Sequence, residues 1–192
     1  FRLDIKKTFL PKESFKDFFD FVIEFLQPNE IKEMLLRNST QIIAQDLMSN
    51  KEFENLWEKL ATYLNDTEIK QFLMGTNSSF KTNIFNFGAS RSKDSIWLTK
   101  NEHFLRFLFE KLESFLEKSE IFSLLSENNC EFGSCLSFAI MVANGNTYKF
   151  FWEFIDRNTS VEQKRTILLH KNYRNLTTLQ FSILKENIDV FH

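Results

Sequence analysis

Residues 177–182 read TTLQFS, and the same succession of residue types occurs at NIFNFG (83–88) and SCLSFA (134–139). The third residue is large and apolar each time (Leu179, Phe85, Leu136), and the fifth is Phe (Phe181, Phe87, Phe138). The sixth is small (Ser182, Gly88, Ala139), and the fourth is polar but uncharged (Gln180, Asn86, Ser137). One such hexapeptide is chance. Three raise the question of whether whole units repeat, since a period of about 20–50 residues is the signature of a stacked-repeat architecture.

Working outward, four aromatic anchors answer it: Phe19, Trp57, Phe109 and Trp152. The residue after each is acidic (Asp20, Glu58, Glu110, Glu153), and the third after is aliphatic (Val22, Leu60, Leu112, Ile155). The eleventh after is Glu30, Glu68, Glu120 or Gln163. Apolar pairs follow at Met34-Leu35, Phe72-Leu73, Leu124-Leu125 and Ile167-Leu168, and the twentieth residue is Ser39, Asn77, Asn129 or Asn172. The columns align without a gap inside the unit, so insertions fall between units. The largest lies around GASRSKDSIWLTKNEH (88–103) and reads as a lengthened loop with a short extra helix.

Each unit predicts two helices. In FENLWEKLATYL, Phe53, Leu56, Trp57, Leu60 and Leu64 recur at three and four residues and share one helical face. A second helix follows at once. Its start is signalled by Pro28, by Asn65 with Glu68 and by Ser160 with Gln163; the last two pairs fit the capping box. The column at the eleventh residue is then the third helical position, where an acid also suits the helix dipole. Ser39, Asn77, Asn129 and Asn172 are expected at the ends of the second helices, with Asn in the left-handed C-cap conformation.

The pattern polar, any, Leu, polar, apolar, small, followed by two helices, resembles the ankyrin repeat, whose first helix opens on T-P-L-H-x-A. The resemblance covers residues 15–192 and departs from the family in several ways. The signature Pro and His are missing from every copy, only Gly133 resembles the turn glycine, and the units exceed the usual length of about 33 residues. The first copy, STQIIAQDLM (39–48), barely matches, as a terminal repeat with one solvent-facing side would. The expected fold is all-α: an ankyrin-like helical repeat solenoid with three clear repeats plus a degenerate N-terminal one. Its units span about 15–52, 53–103, 104–147 and 148–192 of a single repeat domain. A generic helical solenoid of HEAT or TPR type is the alternative. Because ENIDVFH (186–192) stops where another anchor is due, the natural protein is expected to continue beyond His192.

Composition bounds the function. The 192 residues are 43% hydrophobic, enough for a core, and 24 Phe against 4 Gly and 2 Pro disfavour a turn-rich all-β fold. The formal charge is −2 with scattered basic residues, which gives no electrostatic footprint for nucleic acid. The uncharged run 133–148 has its apolar centre only in FAIMVA, too short to span a bilayer. The chain shows no targeting segment and begins at Phe1, which reads as a fragment or processed product. Cys130 and Cys135 lack the partners of a zinc site and are expected as free thiols, with a disulfide across the four intervening residues as the alternative. Sequons at Asn38, Asn65, Asn77, Asn158 and Asn175 raise secretion as the alternative to a cytoplasmic location.

No convergent catalytic set is visible, and no cofactor or metal is expected. His103, His170 and His192 are far apart and expected at the surface. Glu113/Glu117 and Glu30/Glu33 lie one helical turn apart, as solvated helix faces do. The aromatic columns recur at helical spacing beside acids, which suits buried seams better than a nucleic-acid stacking platform. The expected function is therefore a non-enzymatic protein–protein interaction module that binds another protein through finger turns and inner helices. The ankyrin resemblance implies contacts at Phe80, Lys81, Glu131, Phe132, Tyr173 and Arg174; Trp97 of the insert, which fits no column, either packs its loop down or is a further contact residue. The competing expectation is the repeat region of a larger toxin, effector or channel.

Overall fold

The computed structural model describes residues 15–37, 39, 50–75, 102–127, 136–137, 145–172 and 174–184. These are all-α. The described helices are α1 (Phe15–Phe25), α2 (Pro28–Arg37), α3 (Asn50–Tyr63), α4 (Asp66–Met74), α5 (Glu102–Phe115), α6 (Lys118–Ser126), α7 (Gly145–Asn158), α8 (Val161–Leu169) and α9 (Thr178–Leu184). Extended pairing among them is limited to one antiparallel bridge, Lys171 to Thr177.

The second helix of each pair begins where the eleventh residue after the anchor reaches back. Glu30 accepts from the Gln27 amide (2.8 Å), Glu68 from Asn65 (3.1 Å), Glu120 from Glu117 (2.9 Å) and Gln163 from Ser160 (2.8 Å). Asn65 and Ser160 return the bond to the amides of Glu68 and Gln163, completing capping boxes that satisfy otherwise orphaned donors. At the helix ends the cap position itself is not an Asn, and of the expected left-handed residues Asn77 and Asn129 lie outside the described residues. The caps after α4, α6 and α8 are Gly75, Glu127 and His170, all with φ between −55° and −61°. None is a left-handed Asn. Each cap amide bonds a carbonyl three or four residues back, so a tight last turn closes the helix without a residue in the left-handed region.

The columns define the core. Leu60, Leu112 and Ile155 are fully buried with Val22 at the same position, and so are Leu35, Leu73 and Leu125. A column not used in the sequence reading joins them: Ile31, Ile69 and Ile121, twelve after their anchors. The helix pairs pack in order. First helices contact first helices (α1 on α3, α3 on α5), second helices contact second helices (α2 on α4, α6 on α8), and second helices touch the first helix of the next pair (α2 on α3, α4 on α5, α6 on α7).

The contacts between pairs repeat column by column. The residue two after an anchor is seated on the preceding anchor: Lys59 over the Phe19 ring (5.2 Å), Lys111 over Trp57 (5.4 Å), and Phe154 stacked on Phe109 at 4.0 Å. Neighbours one helical turn away share the seat. Trp57 also meets Phe107 and Phe115, and Phe109 also meets Phe150. This is an i, i+4, i+8 stripe, the face that successive helical turns present to one neighbour. Second helices carry a matching ion-pair ladder. Lys32 pairs with Glu68, and Lys70 pairs with Glu120 at 2.8 Å. Each lysine is thirteen after its anchor and each glutamate eleven after the next. In the last seam these positions hold Phe122 and Gln163, so both charges are replaced together.

Ser39 and Gly75 show how closely the first two units fit. Ser39 is buried, and a Cβ added at Gly75 would lie 2.0 Å from its Oγ and 3.1 Å from its Cβ. Gly75→Ala is therefore expected to cost about 1–3 kcal/mol through overpacking. Urea denaturation of the single variant and of Gly75→Ala/Ser39→Ala checks this: the double variant should recover part of the loss, and equal losses would contradict the contact.

Candidate functional site

The described residues include most of one predicted finger turn, residues 170–172 and 174–177. Lys171 and Thr177 pair across its base, and the Asn172 amide bonds the Leu176 carbonyl at 3.0 Å. Asn172 is buried, and its Oδ1 accepts from the amides of Arg174 (2.9 Å) and Leu176 (3.2 Å), while its carbonyl accepts from the Asn175 amide (2.9 Å). One short side chain thus organises the turn from inside. The left-handed conformation expected of Asn172 belongs instead to Asn175, at φ 59°. Asn tolerates that region because its short polar side chain bonds locally.

TTLQFS leaves this turn as α9. Gln180 accepts from the Thr177 amide (2.9 Å), and Thr177 Oγ1 accepts from the Gln180 amide (3.3 Å), which is a capping box. That explains a hydrogen-bonding side chain at the fourth position without a need for imidazole. Ser137, at the same position of SCLSFA, has another role: it is buried and bonds Thr178 Oγ1 at 2.8 Å, joining this segment to α9. Thr178 in turn donates to the Ile167 carbonyl of α8. The third position also diverges. Leu136 is fully buried, whereas Leu179 is 50% exposed, so the shared apolar character does not carry one common environment.

Of the predicted contact residues, Arg174 is described, and it is exposed on the turn. Phe80, Lys81, Trp97, Glu131, Phe132 and Tyr173 lie outside the described residues, as do Cys130, Cys135, Asn38, Asn77 and His192. No family model matches the chain, and neither does a curated protein or a solved structure. The site is therefore read from its own chemistry.

Several of the acids and one of the histidines have charged or polar partners. Glu113 accepts from Arg157 (3.3 Å) and Asn158 (2.7 Å), and Glu33 pairs with Arg37 at 3.1 Å. His103 is exposed and meets Glu54 at 3.1 Å. His170, expected at the surface, is partly buried at the base of the turn. Among the described residues no group of three or more His, Cys, Asp or Glu is arranged to hold a metal ion. No described helix is long and apolar enough to cross a membrane.

Burial holds the His170 imidazole below its ordinary value of 6.5. The hydrogen bonds from Lys32 and Lys70 first, then those from the Asn65 and Glu117 amides, hold Glu68 and Glu120 below their ordinary value of 4.5. The signs agree. The folded chain resists protonating His170, so stability begins to fall as pH drops through 6.5. The two glutamates contribute fully above 4.5 and lose that contribution as pH falls through their depressed folded values. Urea midpoints against pH should decline in these two windows, with His170→Gln removing the upper decline and Lys32→Met/Lys70→Met weakening the lower. A wild-type midpoint that holds constant from neutral pH to 5 would contradict the placement of His170.

Proposed function

We propose that this chain is a non-enzymatic protein-binding module of degenerate ankyrin-like repeats, taking another protein against its finger turns and inner helices. The observation that carries the reading is the thrice-repeated seam: Lys59 on Phe19, Lys111 on Trp57 and Phe154 on Phe109. A seam that recurs in register is what stacked repeats require, and such stacks offer one continuous surface of turns and first helices. The turn at 170–177 supports the placement of that surface. Asn172 stiffens it from within, and Arg174 stands exposed upon it. A turn already ordered before binding loses less freedom when a partner docks.

The cations argue against nucleic acid as the partner. Lys32, Lys59, Lys70 and Lys111 are committed to seams rather than gathered in one basic groove. A cytoplasmic location fits the described sequons at Asn65, Asn158 and Asn175, whose residues have structural roles; those at Asn38 and Asn77 lie outside the described residues. Asn158 is buried with Nδ2 donating to Glu113 and to the Phe154 carbonyl, Ser160 and Asn65 are helix caps, and Asn175 and Thr177 build the finger turn.

Affinity capture from the source cells tests the surface, comparing the chain with Phe132, Tyr173 and Arg174 intact against Phe132→Ala/Tyr173→Ala/Arg174→Glu. A captured protein that is lost with the substitutions, at unchanged helical content, is the expected result. The same protein retained in equal amount would overturn the finger-turn surface.

A further inference from the structure

The seam between α3 and α5 holds its cation differently from the seam between α1 and α3. Lys59 lies over one ring, Phe19, and its ammonium also pairs with the Asp20 carboxylate. Lys111 lies over two rings, Trp57 at 5.4 Å and Phe107 at 4.8 Å. No carboxylate, carbonyl or hydroxyl among the described residues accepts a hydrogen bond from it. Phe107 and Phe115 flank Lys111 one turn to either side on α5. Trp57 of α3 meets both, edge-on to Phe107 (6.2 Å, 82°) and tilted against Phe115 (5.6 Å, 56°). Ring planes at such angles form a corner rather than a flat stack. Trp57 is its buried floor, whereas Lys111, Phe107 and Phe115 are half-buried, so the corner reaches the surface.

The corner is poorly matched to the cation that fills it. A primary ammonium carries three N–H donors, and ring faces do not satisfy them as a carboxylate does. A fully methylated ammonium has no N–H to satisfy. It keeps its charge for the ring quadrupoles, and its methyl groups bury against the rings. Aromatic walls set around a cation are the usual means of holding a quaternary ammonium.

We propose that the corner of Trp57, Phe107 and Phe115 is a binding site for a quaternary ammonium group, with Lys111 as its built-in competitor. The flexible four-carbon stem of Lys111 carries its ammonium out to water, where its donors are satisfied, as the ligand enters. Trp57 still rests on Phe115, and α3 on α5, when the lysine leaves. The group arrives either on a protein, as a trimethyllysine side chain, or on a small free molecule; the corner's chemistry is the same for both. The site lies in a seam and not on the finger turn, so its failure leaves the finger-turn surface standing, and loss of partner capture leaves this site standing.

Nuclear magnetic resonance titration of the whole chain with tetramethylammonium chloride, against sodium chloride at equal ionic strength, tests it. Shift changes should gather on the Trp57 indole and on the Phe107 and Phe115 rings. Lys111→Ser should tighten binding about three- to tenfold, and Phe107→Leu added to it should weaken binding about tenfold, both at unchanged circular dichroism. The wild-type chain, which needs no substitution, should show the same shifts at higher concentration. A peptide carrying trimethyllysine should bind at least about tenfold tighter than the same peptide carrying lysine. Tighter binding of that peptide than of choline assigns the site to a protein-borne group, and the reverse assigns it to a free one. Shifts no larger than those from sodium chloride, in the wild type and in Lys111→Ser, overturn the proposal. So does binding insensitive to Phe107→Leu, and so does equal binding of the methylated and unmethylated peptides.

Discussion

Phe109→Ala is expected to destabilise the chain by about 3–5 kcal/mol, the usual cost of emptying a large aromatic site in a packed core. Phe109 is fully buried and meets three rings of α7: Phe154 at 4.0 Å, Phe150 at 5.4 Å and Phe151 at 5.7 Å. Removing the ring leaves a cavity between two units rather than within one, so the α5–α7 seam opens as a whole. Urea denaturation followed by circular dichroism measures the loss. Phe21→Ala, at an exposed position in the same kind of helix, serves as the reference and should change stability by less than about 0.5 kcal/mol. Comparable losses in the two variants would mean that the contact between α5 and α7 contributes little to stability.

Asn158→Asp is expected to cost about 2–4 kcal/mol at neutral pH, for a reason unrelated to volume. The Asn158 side chain donates to Glu113 Oε1 at 2.7 Å and to the Phe154 carbonyl at 2.9 Å. A carboxylate there replaces both donors with acceptors and sets a negative charge on a buried residue against the more exposed Glu113 carboxylate. Protonation restores a donor, so the loss should shrink as pH falls into the carboxylate range. Glu113→Gln added to Asn158→Asp should recover part of it, because the new amide donates to the new acid. Urea midpoints of the two variants at neutral and acid pH decide the matter; a pH-independent loss would contradict the hydrogen-bonding role.

Much of the fold is legible in the sequence because its causes are local. The capping pairs Asn65/Glu68 and Ser160/Gln163 lie three residues apart, and the apolar columns follow the helical period, so spacing alone places them. The Ile31, Ile69 and Ile121 column was open to the same reading. What spacing cannot give is how one unit meets the next. Lys59 and Lys111 read as ordinary surface charges until the rings of Phe19 and Trp57 are seen beneath them, and Phe154 in the same place belongs to no shared residue type. The position is conserved in space while its chemistry changes from cation to ring. The Lys–Glu ladder is hidden for the same reason, since its partners are 36 and 50 residues apart.

The finger turn shows a different limit. An Asn at the end of a helix points by propensity to a left-handed cap, and Asn172 is such an Asn. Asn175, three residues on, supplies that conformation, while Asn172 turns inward to hold the amides of Arg174 and Leu176. The two roles use the same side-chain chemistry, so residue type alone does not assign them. Most of the predicted contact surface lies outside the described residues, and only Arg174 of that set has a placed environment.

The repeat register is the claim on which the rest depends, and nuclear Overhauser contacts between side chains test it most directly. Labelled chain should show the Lys59 methylenes against the Phe19 ring, those of Lys111 against the Trp57 indole, and the Phe154 ring against Phe109. All three contacts in one folded sample are the predicted result. Contacts displaced to residues outside these columns, or three anchors with unrelated neighbours, would contradict the stacked-unit account.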